Sequence, residues 1–212
     1  MTRSLVLPLL TRTPAAWALG VLADPVVFLG DHAHLERKAA NNALSMLARW
    51  PEDRHAARWT SVLTTIAKDE TRHLGQVLRL LAARGGALPR HHANPYANEL
   101  QALVRTGLGP LGLVDRLLVS ALIEARSCER FQALSHHSPD PELAEFFGGL
   151  LRSEEGHYRA FLRLADLVRP KVEVATRWEE LLDLEAAILE RQETGPRMHS
   201  GIPSSSPLGI PS

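Results

Sequence analysis

Apolar residues recur every three to four positions along most of the chain, and no stretch shows the Val- and Ile-rich alternation of a sheet strand. The pattern predicts an all-α protein. A periodic segment opens at Asp24-Pro25 and runs to about position 49, where Trp50-Pro51-Glu52-Asp53 interrupts it with a proline and with acids suited to starting a helix. A second long helix is expected over about 55–84, stopped by Gly85-Gly86. A polar crossover follows through Pro89 to Pro95, with a short helix over about 96–105. Gly107 to Pro110 reopens the chain into a third long helix, which ends near His137 at Ser138-Pro139-Asp140-Pro141; a fourth then runs to Arg169-Pro170. Shorter helices over about 14–23 and 177–193 flank the four. Residues 195–212 are rich in Ser, Pro and Gly and carry little apolar content, so they read as a flexible tail to one domain over 1–194. The expected architecture is a four-helix bundle of two helical hairpins joined by a long crossover, with extra flanking helices.

Polar residues interrupt the apolar stripes at matching places. On the second helix Glu70 and His73 lie in line with Leu63, Ile66, Val77 and Leu81, and on the fourth Glu154 and His157 lie in line with Phe147, Leu150, Phe161 and Ala165. Residues three apart share a helix face, so each Glu-x-x-His presents a carboxylate and an imidazole to one point. Glu36 falls on the stripe of Leu29, Ala33, Ala40, Ala43 and Leu47, and Glu124 on that of Leu113, Leu117, Ala121, Cys128 and Phe131. Glu129 competes with Glu124, but five residues on it is rotated by roughly 140° from this stripe. Turn symmetry also favours Glu124. About a first turn at Asp53, Glu36 and Glu70 are each seventeen residues away, and about a second at Pro139, Glu124 and Glu154 are each fifteen away. Glu129 would be displaced by roughly 7.5 Å along the axis.

Four glutamates and two histidines are the ligand set of bundles that hold two metal ions, and six buried polar groups would be costly without such compensation. Oxygen-rich ligation with two imidazoles suits iron or manganese, with two irons the first choice. Asp69 is placed to accept the free ring N–H of a ligating histidine from a neighbouring helix. Ala33, Ala40, Ser120 and Ala121 are small enough to leave room beside the ligands, with Leu117 as a wall, or else serve tight helix packing. His32 shares a face with Glu36 and His34 does not; both stay outside the ligand set, as do His91 and His92 of the crossover. Tyr158 and Cys128 read as core residues.

Composition narrows the function further. A single cysteine, Cys128, excludes an internal disulfide and any site built from several thiolates, and fits a reducing cytosol. The apolar run from Leu5 to Leu10 is interrupted by Pro8 and ends too early for a secretory signal, and the run from Leu117 to Ile123 is too short to span a bilayer. The expected setting is cytoplasmic. Formal net charge is zero, so a nucleic-acid partner would have to be held by a local basic patch.

The segments Asp31-His32-Ala33-His34-Leu35-Glu36-Arg37-Lys38-Ala39-Ala40, Asp69-Glu70-Thr71-Arg72-His73, Glu124 and Ser153-Glu154-Glu155-Gly156-His157 resemble the tRNA-(2-methylthio-isopentenyladenosine) hydroxylases. The likeness extends over roughly residues 10–195; its most specific parts are Lys38-Ala39-Ala40 and the Ser-Glu-Glu-x-His segment. It implies a ferritin-like, non-haem di-iron monooxygenase. Such an enzyme hydroxylates the isopentenyl group of the modified adenosine next to the anticodon of tRNA, with dioxygen as co-substrate and two electrons from a ferredoxin or reductase. All six proposed ligands fall on the family pattern. A ferritin-like iron store or a di-metal peroxidase or catalase is the alternative that the same six residues allow.

Overall fold

The computed structural model describes residues 6–203, and among these there are seven α-helices and no strand. They are α1 (Ala15–Leu22), α2 (Pro25–Ser45), α3 (Ala56–Ala83), α4 (Pro95–Ala102), α5 (Pro110–His137), α6 (Pro141–Val168) and α7 (Lys171–Glu190), with a single 3-10 turn at Asp53–His55. Local chemistry sets the boundaries. Asp24, Asn94 and Asp140 cap α2, α4 and α6, each accepting from a first-turn amide and each followed by a proline at the first helical position. Helix α3 ends in a Schellman motif: Gly85 takes φ 74°, its N–H reaches Ala82 O at 3.0 Å, and Gly86 N–H reaches Leu81 O at 2.9 Å.

Helices α2 and α3 form one hairpin and α5 and α6 the other, and α3 also touches α6. Helix α1 lies on α5, while α4 and α7 flank α5 on another side. The four-helix, two-hairpin architecture with a long crossover is therefore as the hydrophobic pattern predicts. Helix α2 stops at Ser45, four residues early, and the freed Met46 carbonyl accepts from Trp59 Nε1 at 2.8 Å. Helix α7 begins at Lys171 rather than near 177: Pro170 ends α6 yet costs nothing just outside the next helix, so the two are nearly continuous.

The interior divides into two apolar clusters. One contains Trp59, Leu63, Ile66, Leu117 and Phe161; the other contains Phe28, Val77, Leu81, Phe131 and Phe147. Along α3 the boundary between them is Glu70 and His73, so the polar side chains form a layer across the middle of the bundle. A second buried polar group ties the flanking helices on. Arg126 of α5 donates from Nε and Nη2 to the two oxygens of Glu185 of α7, both at 2.9 Å, and Tyr96 Oη of α4 donates to Glu185 Oε1 at 2.8 Å.

The tail expected over 195–212 is corrected for residues 195–203, and 204–212 lie outside the described residues. Met198, His199 and Ser200 are buried. The segment's own backbone is bound by side chains of the bundle: Met198 N–H donates to Asp31 Oδ2 at 2.9 Å, and Met198 O accepts from Arg130 Nη1 at 2.6 Å. Ser200 Oγ accepts from Trp17 Nε1 at 2.9 Å. Polar composition misleads here because the strap is held through its main chain, which any residue possesses.

Candidate metal centre

Each stripe position that the sequence assigns to a polar residue points inward. Glu36, Glu70, His73, Glu124, Glu154 and His157 come from α2, α3, α5 and α6, and none is more than 7% exposed. They form two overlapping groups. Glu36, Glu70, His73 and Glu154 offer ligand atoms within 4.8 Å of one another, and so do Glu70, Glu124, Glu154 and His157. Glu70 and Glu154 belong to both, so each can serve two ions, while Glu36 with His73 and Glu124 with His157 complete either side. Glu129 faces elsewhere: its carboxylate accepts from Thr13 N at 2.6 Å and from Arg126 Nη1 at 3.2 Å.

The contacts inside the layer are close but poorly directed. His73 Nδ1 lies 3.0 Å from Glu154 Oε1 and 3.6 Å from both Glu36 Oε2 and Glu70 Oε2, while His157 Nδ1 lies 2.7 Å from Glu70 Oε1. Even so, Glu70 Oε1, Glu154 Oε1 and His73 Nδ1 have no hydrogen-bond partner among the described residues. Lone pairs converging without hydrogen-bond geometry are what a pair of cations would resolve, and the carboxylate-rich donor set matches hard divalent ions. The residues fit a di-metal site.

Crowding moves protons within this layer. Burial, then repulsion from Glu154 and Glu36, raises Glu70 to about 8. Burial, then repulsion from Glu70 and Glu154, holds Glu124 well above the usual carboxylate range. Burial opposes charge on His73, but Glu154, Glu36 and Glu70 outweigh it and raise the imidazole to about 12. His157 likewise rises to about 11 against burial, through Glu154 and Glu70. Glu36 and Glu154 are penalised by burial yet end below the usual range, Glu36 through His32 and His73, Glu154 through His157 and His73.

Neighbours of the layer orient it. Asp69 Oδ2 approaches His157 Nε2 at 3.5 Å from the adjacent helix, so the aspartate faces the ring nitrogen turned away from the carboxylates. His32 Nε2 sits 2.5 Å from Glu36 Oε1, one turn earlier on the same face. The spacing of His32 to Glu36 was a visible signal for that contact. His34 and His92 instead stack on each other at 4.8 Å outside the layer, and Cys128 is a buried filler whose thiol is pushed up by burial.

A cavity of about 280 Å3 opens onto Glu36, Glu70, Glu124 and Glu154. Leu35, Ala39, Ile123 and Phe131 give it an apolar wall, Asn42, Asn98 and Gln101 add amides, and Met198 and His199 of the strap close one side. Of the small residues expected to make room, only Ser120 lines it; Ala33, Ala40, Ala121 and Leu117 are packed in the core. The strap residues had no sequence signal, since their role depends on partners more than sixty residues away.

The family model described as tRNA-(MS[2]IO[6]A)-hydroxylase (MiaE) matches residues 3–200. The chain belongs to the MiaE family. That match takes in the strap, Met198 and His199 included, which the resemblance read from the motifs left out. Among relatives of this MiaE-family chain, a tRNA 2-(methylsulfanyl)-N(6)-isopentenyladenosine(37) hydroxylase of Pseudomonas putida is 40% identical, covering 91% of this chain and 92% of the relative. One of the same name from Salmonella typhimurium is 36% identical over 68% of this chain, which spans about half (52%) of that longer relative. A solved structure, protein 43 with aldehyde deformylating oxygenase activity from Synechococcus, superposes with a TM-score of 0.84 at 37% identity, over 93% of this chain and 98% of that one. The ferritin-like bundle is thus common to this MiaE-family chain and an oxygenase of different substrate. No helix among the described residues is long and apolar enough to cross a membrane.

Proposed function

We propose that this chain hydroxylates the isopentenyl group of 2-methylthio-isopentenyladenosine next to the anticodon of tRNA, at a di-iron centre held by Glu36, Glu70, His73, Glu124, Glu154 and His157. The observation that carries the reading is a buried four-glutamate, two-histidine layer at the closed end of a cavity, in a chain that matches the MiaE family over residues 3–200. Iron bound there supplies the activation of dioxygen needed to oxidise an unreactive C–H bond. One oxygen atom enters that bond and the other leaves as water, with two electrons and two protons taken up; a ferredoxin or reductase is the proposed donor of the electrons.

The protein's own residues do the rest. Leu35, Ile123 and Phe131 offer the prenyl group an apolar surface that excludes water, and the amides of Asn42, Asn98 and Gln101 are available to base edges. Asp69, accepting from His157 Nε2, leaves the Nδ1 lone pair turned toward the carboxylates. Acting on tRNA, the protein works in the cytoplasm.

Nucleoside mass spectrometry of tRNA from cells lacking this protein tests the assignment. The hydroxylated prenyl-adenosine should vanish and its unhydroxylated precursor accumulate; an unchanged hydroxylated fraction would sink it. The site alone supports oxygen chemistry, which the Synechococcus oxygenase shares on the same bundle, so the substrate rests on the family match.

A further inference from the structure

An RNA-binding chain of zero formal charge must concentrate its cations locally. Beside the cavity lies a second concavity of about 540 Å3, formed by Arg49 of the connection after α2, the end of α4, the α4–α5 connection and the first turns of α5. Arg49, Arg105 and Arg116 line it, and no carboxylate does. Gln101 lines both this groove and the cavity over the glutamates, so the two are neighbours on one face.

The three arginines differ in how they are held. Arg105 is fixed by the buried Asp115 through Nε at 2.7 Å and Nη2 at 2.8 Å; Arg177 Nε shares the same carboxylate at 3.0 Å and its Nη1 pairs with Glu180 at 2.9 Å, so this cluster is charge-balanced and positions the Arg105 guanidinium. Arg49 and Arg116 form no ion pair among the described residues, and Arg49 donates from Nε only to the backbone oxygen of Ser45, at 3.3 Å. Gly107 and Gly109, at φ 78° and 50°, line the groove without side chains and so leave its wall open to close approach.

Resting on the proposed function, we infer that this groove holds the phosphodiester backbone of the single-stranded RNA flanking the nucleoside in the cavity. A nucleoside inserted into the cavity stays tethered to its neighbours, so consecutive phosphates must pass its rim, and planar guanidinium forks match phosphate oxygens. An acidic electron-donor protein would be drawn to the same charge, but it need not sit at the mouth through which the substrate enters.

The test uses an anticodon stem-loop RNA carrying the prenylated adenosine, its binding to the iron-loaded protein followed by fluorescence anisotropy between 50 and 200 mM salt. Relative to wild type, Arg49→Ala/Arg116→Ala should weaken binding about tenfold at the low-salt end and reduce the slope of log K against log salt by about 1.4, roughly 0.7 for each single-strand phosphate that is no longer neutralised. Both side chains are at least partly exposed, so the fold should survive, which an unchanged melting temperature checks. Arg152→Ala/Arg163→Ala, both exposed on α6 and absent from the groove, should leave affinity and slope unchanged. Unchanged binding by the groove variant overturns the inference, as does an equal loss from the control pair. Normal RNA affinity with slower reduction by the donor overturns it too and gives the groove to the donor. Because binding is the readout, a wild type that binds RNA through the groove yet hydroxylates nothing refutes the proposed function alone.

Discussion

Loading the site with two divalent ions should expel at least three protons at pH 7, two from histidines and one from Glu70. At that pH the metal-free layer keeps His73 and His157 charged, with values raised to about 12 and 11, and keeps Glu70 neutral at about 8. Glu124 is also held above the usual carboxylate range, while Glu36 and Glu154, below it, are ionised. Metal ligation needs neutral imidazoles and ionised carboxylates, so two protons leave the histidines and at least one leaves Glu70 as two dications enter. The protons released offset much of the entering charge, which suits a layer set between two apolar clusters.

Two quantities follow. Titration calorimetry in buffers of different ionisation enthalpy should report at least three protons released per two ions. The two-ion binding constant should rise by at least three powers of ten per pH unit near pH 7, the slope easing by about one above pH 8 as Glu70 loses its proton unaided. For the metal-free protein the sign is opposite. Raised values mean that the protonated forms favour folding, so its stability should fall from about pH 4.5 to 8 through Glu70 and from about pH 6.5 up to 11 and 12 through His157 and His73. Release of fewer than two protons, or a binding constant indifferent to pH, would refute the reasoning.

Three substitutions probe other parts of the molecule. Glu124→Ala should lose bound iron, whereas Glu129→Ala should keep it and cost about 1–3 kcal/mol, because Thr13 N–H is left without its acceptor; metal analysis with urea unfolding separates the two. Glu185→Ala strips the buried Arg126 of its two-oxygen partner and leaves it a single carboxylate, Glu129 at 3.2 Å, a loss of about 3 kcal/mol in urea unfolding that Arg126→Met/Glu185→Leu should largely recover. Equal losses in the single and double variants would remove the buried pair from the account. Met198→Ala should cost about 2–5 kcal/mol and raise KM for the substrate, since it empties both a core position and a cavity wall; a stable variant with unaltered KM would show the strap to be dispensable.

The long helices were legible because their apolar stripes keep a 3.6-residue period and because Pro, Gly and capping Asp residues mark their ends. The convergence of Glu36, Glu70, Glu124 and Glu154 was legible for a related reason: antiparallel helices convert distance from a turn into height. What escaped the sequence depends on contacts between distant segments. Nothing in the Gly-, Pro- and Ser-containing residues 195–203 announces a packed strap, for its holding groups are Asp31, Arg130 and Trp17. Nor does Arg126 reveal that it is buried, since its partner Glu185 lies on another helix. The small residues Ala33, Ala40 and Ala121 mislead in the opposite sense, because small size serves close helix packing as readily as an open pocket.

The order of the strap in the chain has a consequence for biosynthesis. All six polar residues of the layer lie on α2 to α6, so they can assemble before Met198 and His199, which are synthesised later and close one side of the cavity. A nascent chain cut off ahead of the strap would carry the polar layer with that side open to water and to stray reductants. Late closure makes the strap a condition for confining the chemistry of the site to its substrate.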